Sequence, residues 1–592
     1  MILKTIENTV ETKESKGVAF GLQGNLFIIP IVGLLVSLAM FTFMLFAAKE
    51  NPFTCFFVSL IPALMTTVFT YTFLNNKPPH DLQDKIESLL DGGIFNVENF
   101  SPPTKANPFP NTNKFRDCWF VKKLIIFNEA DNRGYVSKGY YITPPSLKGM
   151  SIKSLNDIHD RLESFLANVK YPVRIQWDWS LSTDFSEELN AYNNETEKFK
   201  EKNWWSYKIR KQIFYRFIKL QEEQILKKER LAVYFSIQLA SEINIIDELE
   251  LIDSQLSIYG KSLSSLFSMY NCEVEEMTDK DYFNEYVRTF APTLSAHAKN
   301  QLQFDPDKSA LEQCVEGEII DTKNGFKIGN SYHTTLAIRA LPKTLYPGMI
   351  SRLLSLNINE YSITVNLIPL DPDKELKKEE ALIQRIEGDM QGNKKQQYSL
   401  NVARQKKIAK VEALAEGRIN PMRCEFIIKV SANNENILKQ RIAIIKEAVA
   451  ITNGTIIWEA NSARSTRNLF FQTAPGWCFG NYSGFAFYAP NDVIACMIPF
   501  SSSFLGKIKT AEALYDGGDR NIVGVSTFQD STPQHSILIG TTGCGKSAFM
   551  IDLLTQTAPY YDYTCIIEEG NSYYFYSLTQ GTKPLVIHPD AG

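Results

Sequence analysis

The stretch Ser536-Ile-Leu-Ile-Gly540-Thr541-Thr542-Gly543-Cys544-Gly545-Lys546-Ser547-Ala548 decides how the rest of the chain is interpreted. It fits the pattern G-x-x-x-x-G-K-[ST], with a short apolar run before it and an amphipathic helical run after it. Glycines at these positions let successive backbone N–H groups turn inward around a phosphate, and the helix that follows points its positive end at the same anion. The pattern predicts a P-loop, or Walker A motif, in a nucleotide-binding domain.

Individual residues of this loop have separate predicted roles. The Lys546 side chain would reach the β- and γ-phosphates, so it is a predicted catalytic residue, and the Ser547 hydroxyl would bind Mg²⁺. A glycine-rich turn without a ligand is the alternative interpretation. The sequence therefore predicts ATP and Mg²⁺ as cofactors, with ATP bound by Gly540, Thr541, Thr542, Gly543, Cys544, Gly545, Lys546, Ser547 and Ala548.

The composition is that of a globular protein of two or three domains. The chain has 592 residues, of which 44% are apolar and 22% charged. A net charge of −4 gives no overall attraction to nucleic acid or anionic lipid, so any basic surface must be local. The nine cysteines and six histidines are scattered, without a C-x-x-C pair or a Cys/His cluster. This pattern indicates a reducing compartment, with no sign of a zinc site or a disulfide framework.

Two uncharged stretches lie near the start of the chain, at about residues 25–48 and 52–75. Each is long enough, as a helix, to cross about 30 Å of hydrocarbon. Pro30 and Pro62 are tolerable in such helices because neighbouring groups can bind the carbonyls that they free. A signal peptide and a buried core hairpin are the alternatives. The pair predicts an N-terminal transmembrane helical hairpin, and so a protein that binds the membrane.

A hairpin leaves both of its flanks on one side of the membrane. The connecting loop offers only Lys49, whereas the flanks carry Lys4, Lys13, Lys16, Lys77 and Lys85. The positive-inside bias therefore favours both ends in the cytoplasm. The predicted P-loop also requires a cytoplasmic location, because ATP is found in the cytoplasm.

Residues 81–115 are polar and proline-rich, which predicts a connector, and strand and helix patterns alternate after it. Strands are predicted at about residues 121–128, 139–143, 173–178, 231–239, 334–339, 362–367, 424–431 and 455–459, and helices at about 154–169, 204–228, 245–270, 346–356 and 435–451. Such alternation is typical of α/β and α+β folds. The predicted domains are a membrane anchor (1–80), the connector (81–115), an α+β domain (116–480) and a partial P-loop NTPase domain (481–592).

Residues 374–417 are strongly charged and favour helix, with breaks at Gly388 and Gly392. A solvated helical arm that projects from the domain is one interpretation, and a contact with nucleic acid or a neighbouring subunit is the other. The sequence shows no internal repeat.

The residues after Ser547 give the P-loop helix, a predicted strand at Tyr563–Ile567 and a strand-like segment at Pro584–His588. P-loop motors need further strands, one of which ends in an acidic pair that binds Mg²⁺. No apolar strand ending in Asp-Glu follows the P-loop, which predicts that the chain stops inside an incomplete RecA-like domain and that hydrolysis by this chain alone is unfavoured. Glu568, at the end of the predicted strand, is the candidate catalytic carboxylate, although a solvated loop carboxylate is the alternative.

Beyond the P-loop, several segments resemble the inner-membrane ATPases of type IV secretion and conjugation systems, the CagE, TrbE and VirB ATPase family. Ala337–Pro342 and Val365–Asp371 look like the paired strand motifs of that family, and Arg467–Gly476 looks like its apolar helix followed by Pro-Gly. The resemblance covers most of the chain after about residue 115. The family usually has Asp followed by Lys where this chain has Glu568 and Glu569. Residues 1–80 resemble the small two-helix subunit that some systems fuse to the front of the ATPase.

The resemblance implies an ATPase that powers transport or pilus assembly at the bacterial inner membrane. It would be a multi-pass protein with its large domain in the cytoplasm, and a homo-oligomer, such as a hexamer. Its partners would be the inner-membrane channel subunits, and its substrate DNA or protein. A DNA translocase of the FtsK/HerA or coupling-protein type is one alternative function. A non-catalytic channel scaffold is the other.

Overall fold

A computed structural model gives the fold. It describes residues 3–7, 18–19, 22–23, 26–46, 51–75, 77, 81–90, 94–96, 117–128, 134–238, 245–270, 272–294, 302–315, 317–323, 325–392, 397–450, 454–459, 462–477, 485–527 and 535–585. The predicted proline-rich connector falls mostly outside these ranges. The described residues form two compact units. The first consists of Met1–Ser180, Arg230–Leu294 and Gln301–Ser502, and the second is built mainly from Leu181–Glu229 and Ser503–Gly592.

The first unit is a mixed α/β structure around one large sheet, as the alternation of patterns predicted. Its helices are Ile28–Phe46, Pro52–Phe69 (which continues as a π-helix over Thr70–Leu74), Asp81–Leu90, Ile152–Asn168, Ile245–Phe267, Asp279–Phe290, Ala310–Cys314, Ser351–Leu354, Pro372–Gly392, Gln397–Ala415, Glu435–Ala450, Ala463–Phe471 and Asn491–Ala495. Short strands outside the large sheet span Ile6–Glu7, Val18–Ala19, Leu22–Gln23 and Thr344–Leu345.

The large sheet has 14 strands. Eleven of them follow one another in the spatial order Ile94–Asn96, Glu318–Thr322, Gly325–Ile328, Ser331–Ala340, Pro421–Ala432, Tyr361–Pro369, Arg174–Ser182, Lys228–Gln238, Gly134–Thr143, Leu124–Asn128 and Cys118–Val121. The other three pair beside this path: Glu273–Glu276 with Gly134–Thr143, Ile456–Glu459 with Ser331–Ala340, and Phe487–Pro490 with Pro421–Ala432.

Eight central strands of this sheet form two halves with the same topology. In chain order the strands of the first half are Gly134–Thr143, Arg174–Ser182, Lys228–Gln238 and Glu273–Glu276, and those of the second half are Ser331–Ala340, Tyr361–Pro369, Pro421–Ala432 and Ile456–Glu459. Within each half the spatial order is second, third, first, fourth. A helix joins the first strand to the second and the third to the fourth in both halves, which is the β-α-β-β-α-β order of ferredoxin-like folds.

The two halves meet through their second strands, Arg174–Ser182 and Tyr361–Pro369, which pair antiparallel. Gln176 lies directly opposite Asn366 in this register. An antiparallel pair of equivalent strands is what an approximate two-fold axis through the sheet produces. The expectation of no internal repeat is therefore wrong for the topology, because the repeat lies in the order of the elements.

Each half carries a pair of helices between its second and third strands. In the first half the pair is Ser186–Lys198 and Trp204–Glu222, which we call the inner helix pair, and it belongs to the second unit. In the second half it is Pro372–Gly392 and Gln397–Ala415, the helical arm that the charged sequence predicted. Equivalent points of the two halves therefore bear helical insertions.

Several predicted elements differ in length from those observed. The predicted strand over 121–128 is a hairpin, because Lys122 and Lys123 adopt positive φ angles of 50° and 66° and form a tight turn. The helix predicted to continue to residue 228 ends at Glu222, since Gln224 also has a positive φ, of 55°. Only Ser351–Leu354 is helical within the predicted segment 346–356.

Two helices near the start are long and apolar enough to cross a membrane, as predicted: Ile28–Phe46 and Pro52–Leu74, with mean hydropathies of 2.5 and 1.8. We call them the apolar hairpin. Their mutual contact is built from small residues, since Gly33, Ser37 and Ser59 are buried while large side chains such as Leu34 lie outside. A Cβ atom on Gly33 would overlap the Thr66 side chain.

Both flanks of the apolar hairpin are bound to the first unit. On the N-terminal side, Ile6 pairs with Leu345 in a short antiparallel ladder. On the C-terminal side, the helix Asp81–Leu90 carries Glu87, which forms an ion pair with Arg464. The chain therefore leaves and re-enters the same unit around the apolar hairpin.

The second unit packs around the inner helix pair. It adds a hairpin of strands, Ala513–Asp516 and Ile522–Val525, and the helices Lys546–Thr557 and Tyr574–Thr579. Its core is apolar and includes Phe185, Leu189, Tyr192, Phe217, Leu226, Ile508, Leu514 and Ile522.

The strands predicted around the P-loop are not formed. Ile537, which precedes the loop, and Ile567, which ends the predicted strand Tyr563–Ile567, are 87% and 94% exposed and lie in extended segments outside any sheet. Of the segment Pro584–His588, the structure describes the first two residues, which form no strand. Strand formation requires a neighbouring strand to bind the backbone, so an apolar run alone does not create one.

Candidate functional site: the P-loop and the elements that hold it

The predicted P-loop turns into a helix where the glycines require it. The helix spans 12 residues, Lys546–Thr557, and its N-cap is Gly545, with a φ of 91°. Gly543 has a φ of 82°. Residues with a Cβ atom rarely adopt such angles, so these glycines allow the bend that turns N–H groups toward one point. The backbone thus bends at both glycines before the helix begins.

The Lys546 ammonium is folded back across this loop. Its Nζ atom donates hydrogen bonds of 2.9 Å to the carbonyl oxygens of Gly540 and Thr541. A Cβ atom on Gly540 would overlap the Cys544 sulfur, so a larger residue there would have to displace the Cys544 side chain. The lysine is therefore held over the mouth of the loop, where its positive charge adds to that of the helix N-terminus.

The remaining loop residues are accessible. Thr541, Thr542, Cys544, Ser547 and Ala548 are all exposed. The Ser547 hydroxyl lies in the first turn of the helix, where it is free to bind a cation beside a phosphate. Of the groups that bind a nucleotide phosphate chain with Mg²⁺, the loop presents a lysine, an exposed hydroxyl and the N-terminus of a helix, so the residues present fit such a ligand.

Glu568, the candidate catalytic carboxylate, binds the backbone just before a short helix. Its two carboxylate oxygens accept hydrogen bonds from the backbone N–H groups of Ser572, at 3.1 Å, and Tyr573, at 3.0 Å. These residues precede the helix Tyr574–Thr579. Within the described part of the chain, the structure does not bring Glu568 into contact with the P-loop residues.

The far end of the P-loop helix is held by side chains that the sequence did not point to. The Gln556 side chain accepts hydrogen bonds from the Tyr192 hydroxyl, at 2.9 Å, and from the Leu514 backbone N–H, at 3.1 Å. Its amide nitrogen donates to Asp552 one turn earlier, at 2.8 Å. Gln556 is buried together with Thr555 and Thr557 in the last turn of the helix, and its partners Tyr192 and Leu514 are distant in sequence.

The Pro-Gly segment near residue 475, which carries part of the family resemblance, is bound to the sheet of the first unit. The Gln176 side chain donates to the Gln472 and Ala474 carbonyls, each at 3.2 Å, and accepts from the Gly476 N–H at 2.8 Å. Asn366, its partner across the two-fold axis, donates to the same Gln472 carbonyl at 2.8 Å. Polar side chains on this buried sheet face therefore satisfy the backbone of the segment.

The helix before that segment contains a buried ion pair. The Arg467 Nε atom lies 2.9 Å from Asp321 Oδ1, and Nη2 lies 3.2 Å from Oδ2, with both side chains almost fully buried. The contact between Nη2 and Oδ2 is a hydrogen bond, and the contact between Nε and Oδ1 is a close approach of opposite charges. The pair anchors the helix Ala463–Phe471 to the strand Glu318–Thr322.

Burial shifts the pKa of three ionisable groups on the same sheet. It raises the pKa of Asp178 to about 6, against the opposing effects of the Lys429 charge and of a hydrogen bond from Thr364. It lowers the pKa of Lys429 to about 8. Burial, together with the Lys429 charge, also lowers the pKa of His333 to about 3. Loss of solvent is the main cause of each shift, so these values indicate a structural role.

One group of side chains has the composition of a metal site: His159, Asp160 and Glu163. The Lys4 ammonium lies among them, 2.8 Å from Asp160 and 3.0 Å from Glu163. This cluster therefore binds an internal cation, which ties the start of the chain to the helix Ile152–Asn168.

A comparison with protein-family models gave no match, and a comparison with curated proteins gave none.

Proposed function

We propose that this chain is a membrane-anchored ATPase subunit that energises a type IV secretion or conjugative transfer channel at the bacterial inner membrane. ATP would bind at the P-loop with Mg²⁺ on Ser547, and hydrolysis would be coupled to substrate transfer or pilus assembly. The large domain would lie in the cytoplasm. The channel subunits of the inner membrane and further copies of the chain, as in a hexamer, would be its partners.

The geometry of the P-loop is the observation that carries the proposal. Positive φ angles at Gly543 and Gly545, a helix that starts directly after them and a lysine held across the loop together make an anion site. A plain glycine-rich turn needs none of the three. In the P-loop ATPases that this arrangement resembles, the phosphate chain of ATP is the anion, and it supplies the phosphoryl group that is transferred to water.

The packing of the apolar hairpin supports the membrane anchor. In a water-soluble protein, large apolar side chains turn inward, whereas here small residues fill the contact and the large ones face out. That arrangement is typical of helices packed in lipid, where small residues let two backbones approach closely. The attachment of both flanks to one unit supports a hairpin whose two ends share a compartment.

The transport role depends on the resemblance. The segment Arg467–Gly476, which carries part of that resemblance, is built into the first unit through its ion pair and its backbone hydrogen bonds. A second function, a non-catalytic channel scaffold, is favoured by one observation: the Glu568 carboxylate is bound by the backbone N–H groups of Ser572 and Tyr573. The experiment below separates the two.

Nucleotide binding and hydrolysis are measured on the purified full chain in lipid nanodiscs. We expect the wild type to bind Mg²⁺ with a fluorescent ATP analogue, and Lys546→Ala to lose most of the affinity. Lys507→Ala, which removes another exposed lysine of the second unit, is the matched control and should bind normally. Hydrolysis would favour the ATPase over the scaffold, and no binding by the wild type would refute both the ATPase and the nucleotide site.

A further inference from the structure

Arg210 is buried completely in the second unit, on the second helix of the inner helix pair. Its guanidinium lies over the Tyr192 ring at 4.0 Å from the centroid, and the rings of Tyr560 and Phe199 lie at 5.4 Å and 5.5 Å. Three aromatic faces thus surround one cation, an arrangement that favours a desolvated guanidinium.

The hydrogen bonds of Arg210 fix the end of the P-loop helix. Its Nη1 atom donates to the Gln556 carbonyl at 3.1 Å, and Nη2 donates to the Tyr560 hydroxyl at 3.2 Å. The Nε atom donates to the Thr196 hydroxyl at 3.0 Å, and Nη1 also donates to the Glu512 carbonyl. The Gln556 carbonyl belongs to the last turn, where carbonyls lack a partner within the helix. A cation at this end of the helix also interacts favourably with the helix dipole.

The described partners of Arg210 are therefore carbonyl and hydroxyl oxygens rather than carboxylates. The aromatic rings and the negative end of the helix balance its charge. A lysine could not replace it, because one ammonium cannot reach acceptors on the first helix of the pair, the strand hairpin and the P-loop helix at once. The arginine thus joins three elements of the second unit around the helix that begins at the P-loop.

We propose that Arg210 is a positioning residue for nucleotide binding, and that it couples the inner helix pair to nucleotide bound at the P-loop. The proposal rests on the proposed function of the P-loop. The P-loop helix is a rod of about 18 Å, with Arg210 at one end and the phosphate site at the other. Sites that bind a charged group must hold their donors within about 0.5 Å, so a tilt at the Arg210 end displaces the amides at the phosphate end.

The effect must be reciprocal. If the Arg210 contacts favour the phosphate-binding position of the helix, then bound nucleotide strengthens those contacts by the same factor. Nucleotide bound at Gly543 and Lys546 should therefore protect the inner helix pair, which precedes the P-loop by more than 300 residues in sequence, from hydrogen exchange.

The test uses the full chain in nanodiscs, with Mg²⁺ and a fluorescent ATP analogue as the probe. We expect Arg210→Gln and Arg210→Lys to raise the dissociation constant roughly tenfold. Arg216→Gln is the matched control, because Arg216 is 62% exposed on the same helix and pairs with Asp516. It should leave the dissociation constant within about twofold of the wild type, as expected for a surface pair.

Hydrogen exchange supplies a readout that a purely stabilising residue would not change. In the wild type, nucleotide should slow exchange in residues 186–222 as well as in the P-loop. In Arg210→Gln at saturating nucleotide, the P-loop should still be protected and the inner helix pair should not. Tyr192→Phe, which removes only the hydroxyl bonded to Gln556, serves as the milder variant if Arg210→Gln does not fold.

The possible results are distinguishable. If the wild type binds nucleotide, and neither the Arg210 variants nor Tyr192→Phe change the affinity or the protection of the inner helix pair, the positioning role is overturned and the nucleotide site stands. If the wild type does not bind, the proposed function itself is wrong.

Discussion

Lys4 precedes the apolar hairpin in the chain, yet its ammonium lies 2.8 Å from the carboxylate of Asp160, which follows the hairpin. Its backbone N–H also donates to the Asn156 side chain at 3.0 Å. Because one short segment and one large unit are bound together, both must be on the same side of any membrane that the apolar hairpin crosses. Asn51, which directly precedes the second apolar helix, then lies on the opposite side.

This topology predicts which engineered thiols can be labelled from outside the cell. In a chain whose exposed Cys544 and Cys565 are replaced by serine, Asn51→Cys should react with a membrane-impermeant maleimide on intact cells. Lys85→Cys should react only after the membrane is opened, because Lys85 lies in the helix that contacts the first unit. Equal labelling of the two positions on intact cells would exclude a hairpin with a cytoplasmic domain.

A second prediction concerns the contact between the two apolar helices. Gly33→Val should force the helices apart, because any Cβ atom there overlaps Thr66, and overpacking of this kind costs about 1–3 kcal/mol. Leu34→Val is the matched control, since Leu34 is 61% exposed on the outer face and should tolerate the change. The temperature at which the chain becomes sensitive to protease in detergent measures both. A similar temperature for the two variants would contradict the close packing.

A third prediction concerns the buried pair of Arg467 and Asp321. Arg467→Ala removes the charged partner of a buried carboxylate. The free energy of unfolding of the first unit should therefore fall by about 3–5 kcal/mol. Lys439→Ala, which breaks an exposed pair with Glu435, should cost less than about 1 kcal/mol.

The double variant separates loss of charge from loss of the helix contact. Arg467→Met combined with Asp321→Leu should recover most of the stability lost by Arg467→Ala, because two apolar side chains of similar size need no partner. The midpoint of urea unfolding, followed by tryptophan fluorescence, gives the comparison. A double variant as unstable as Arg467→Ala would show that the unpaired charge is not the cause of the instability of Arg467→Ala.

The fourth prediction concerns pH. The pKa of His333 falls from its ordinary value of 6.5 to about 3 in the folded protein, because the ring is buried beside the Lys429 charge. The unfolded chain therefore takes up a proton between these values that the folded chain does not. The stability that His333 contributes is complete above pH 6.5 and is lost as the pH falls toward 3, at about 1.4 kcal/mol per pH unit.

A glutamine at this position has no proton to gain. Between pH 7.5 and pH 5, the wild type should lose about 2 kcal/mol more of its unfolding free energy than His333→Gln. The difference between the two proteins isolates the histidine from carboxylates that titrate in the same range, such as Asp178. Parallel losses for both proteins would mean that His333 is already charged, or solvated, in the folded state.

The sequence predicted what depends on neighbouring residues in the chain. The glycines at 543 and 545 specify the P-loop bend, and alternation of apolar residues located most strands of the large sheet to within a few positions. Both are local features, since the pattern of burial along a strand or helix has the period of that element. The mixed α/β class and the two apolar helices were predictable for the same reason.

Pairing between distant segments was not predictable in this way. The sequence around Gln176 does not indicate that Asn366 lies opposite it in the sheet. The sequence around Arg210 likewise does not indicate that this side chain donates a hydrogen bond to the carbonyl of Gln556, 346 positions later. The strand predicted at Tyr563–Ile567 is not formed, for a related reason. Its apolar residues favour a strand, but a strand forms only where another segment pairs with it.

The doubled topology of the large sheet has a consequence for the ancestry of the chain. Two ferredoxin-like halves that meet edge to edge through equivalent antiparallel strands have the arrangement of a symmetric dimer, with its subunits joined head to tail in one gene. Duplication of a half that already carried its helical insertion accounts for both insertions at once. In the first half the insertion holds the P-loop helix, whereas in the second half it is the charged arm.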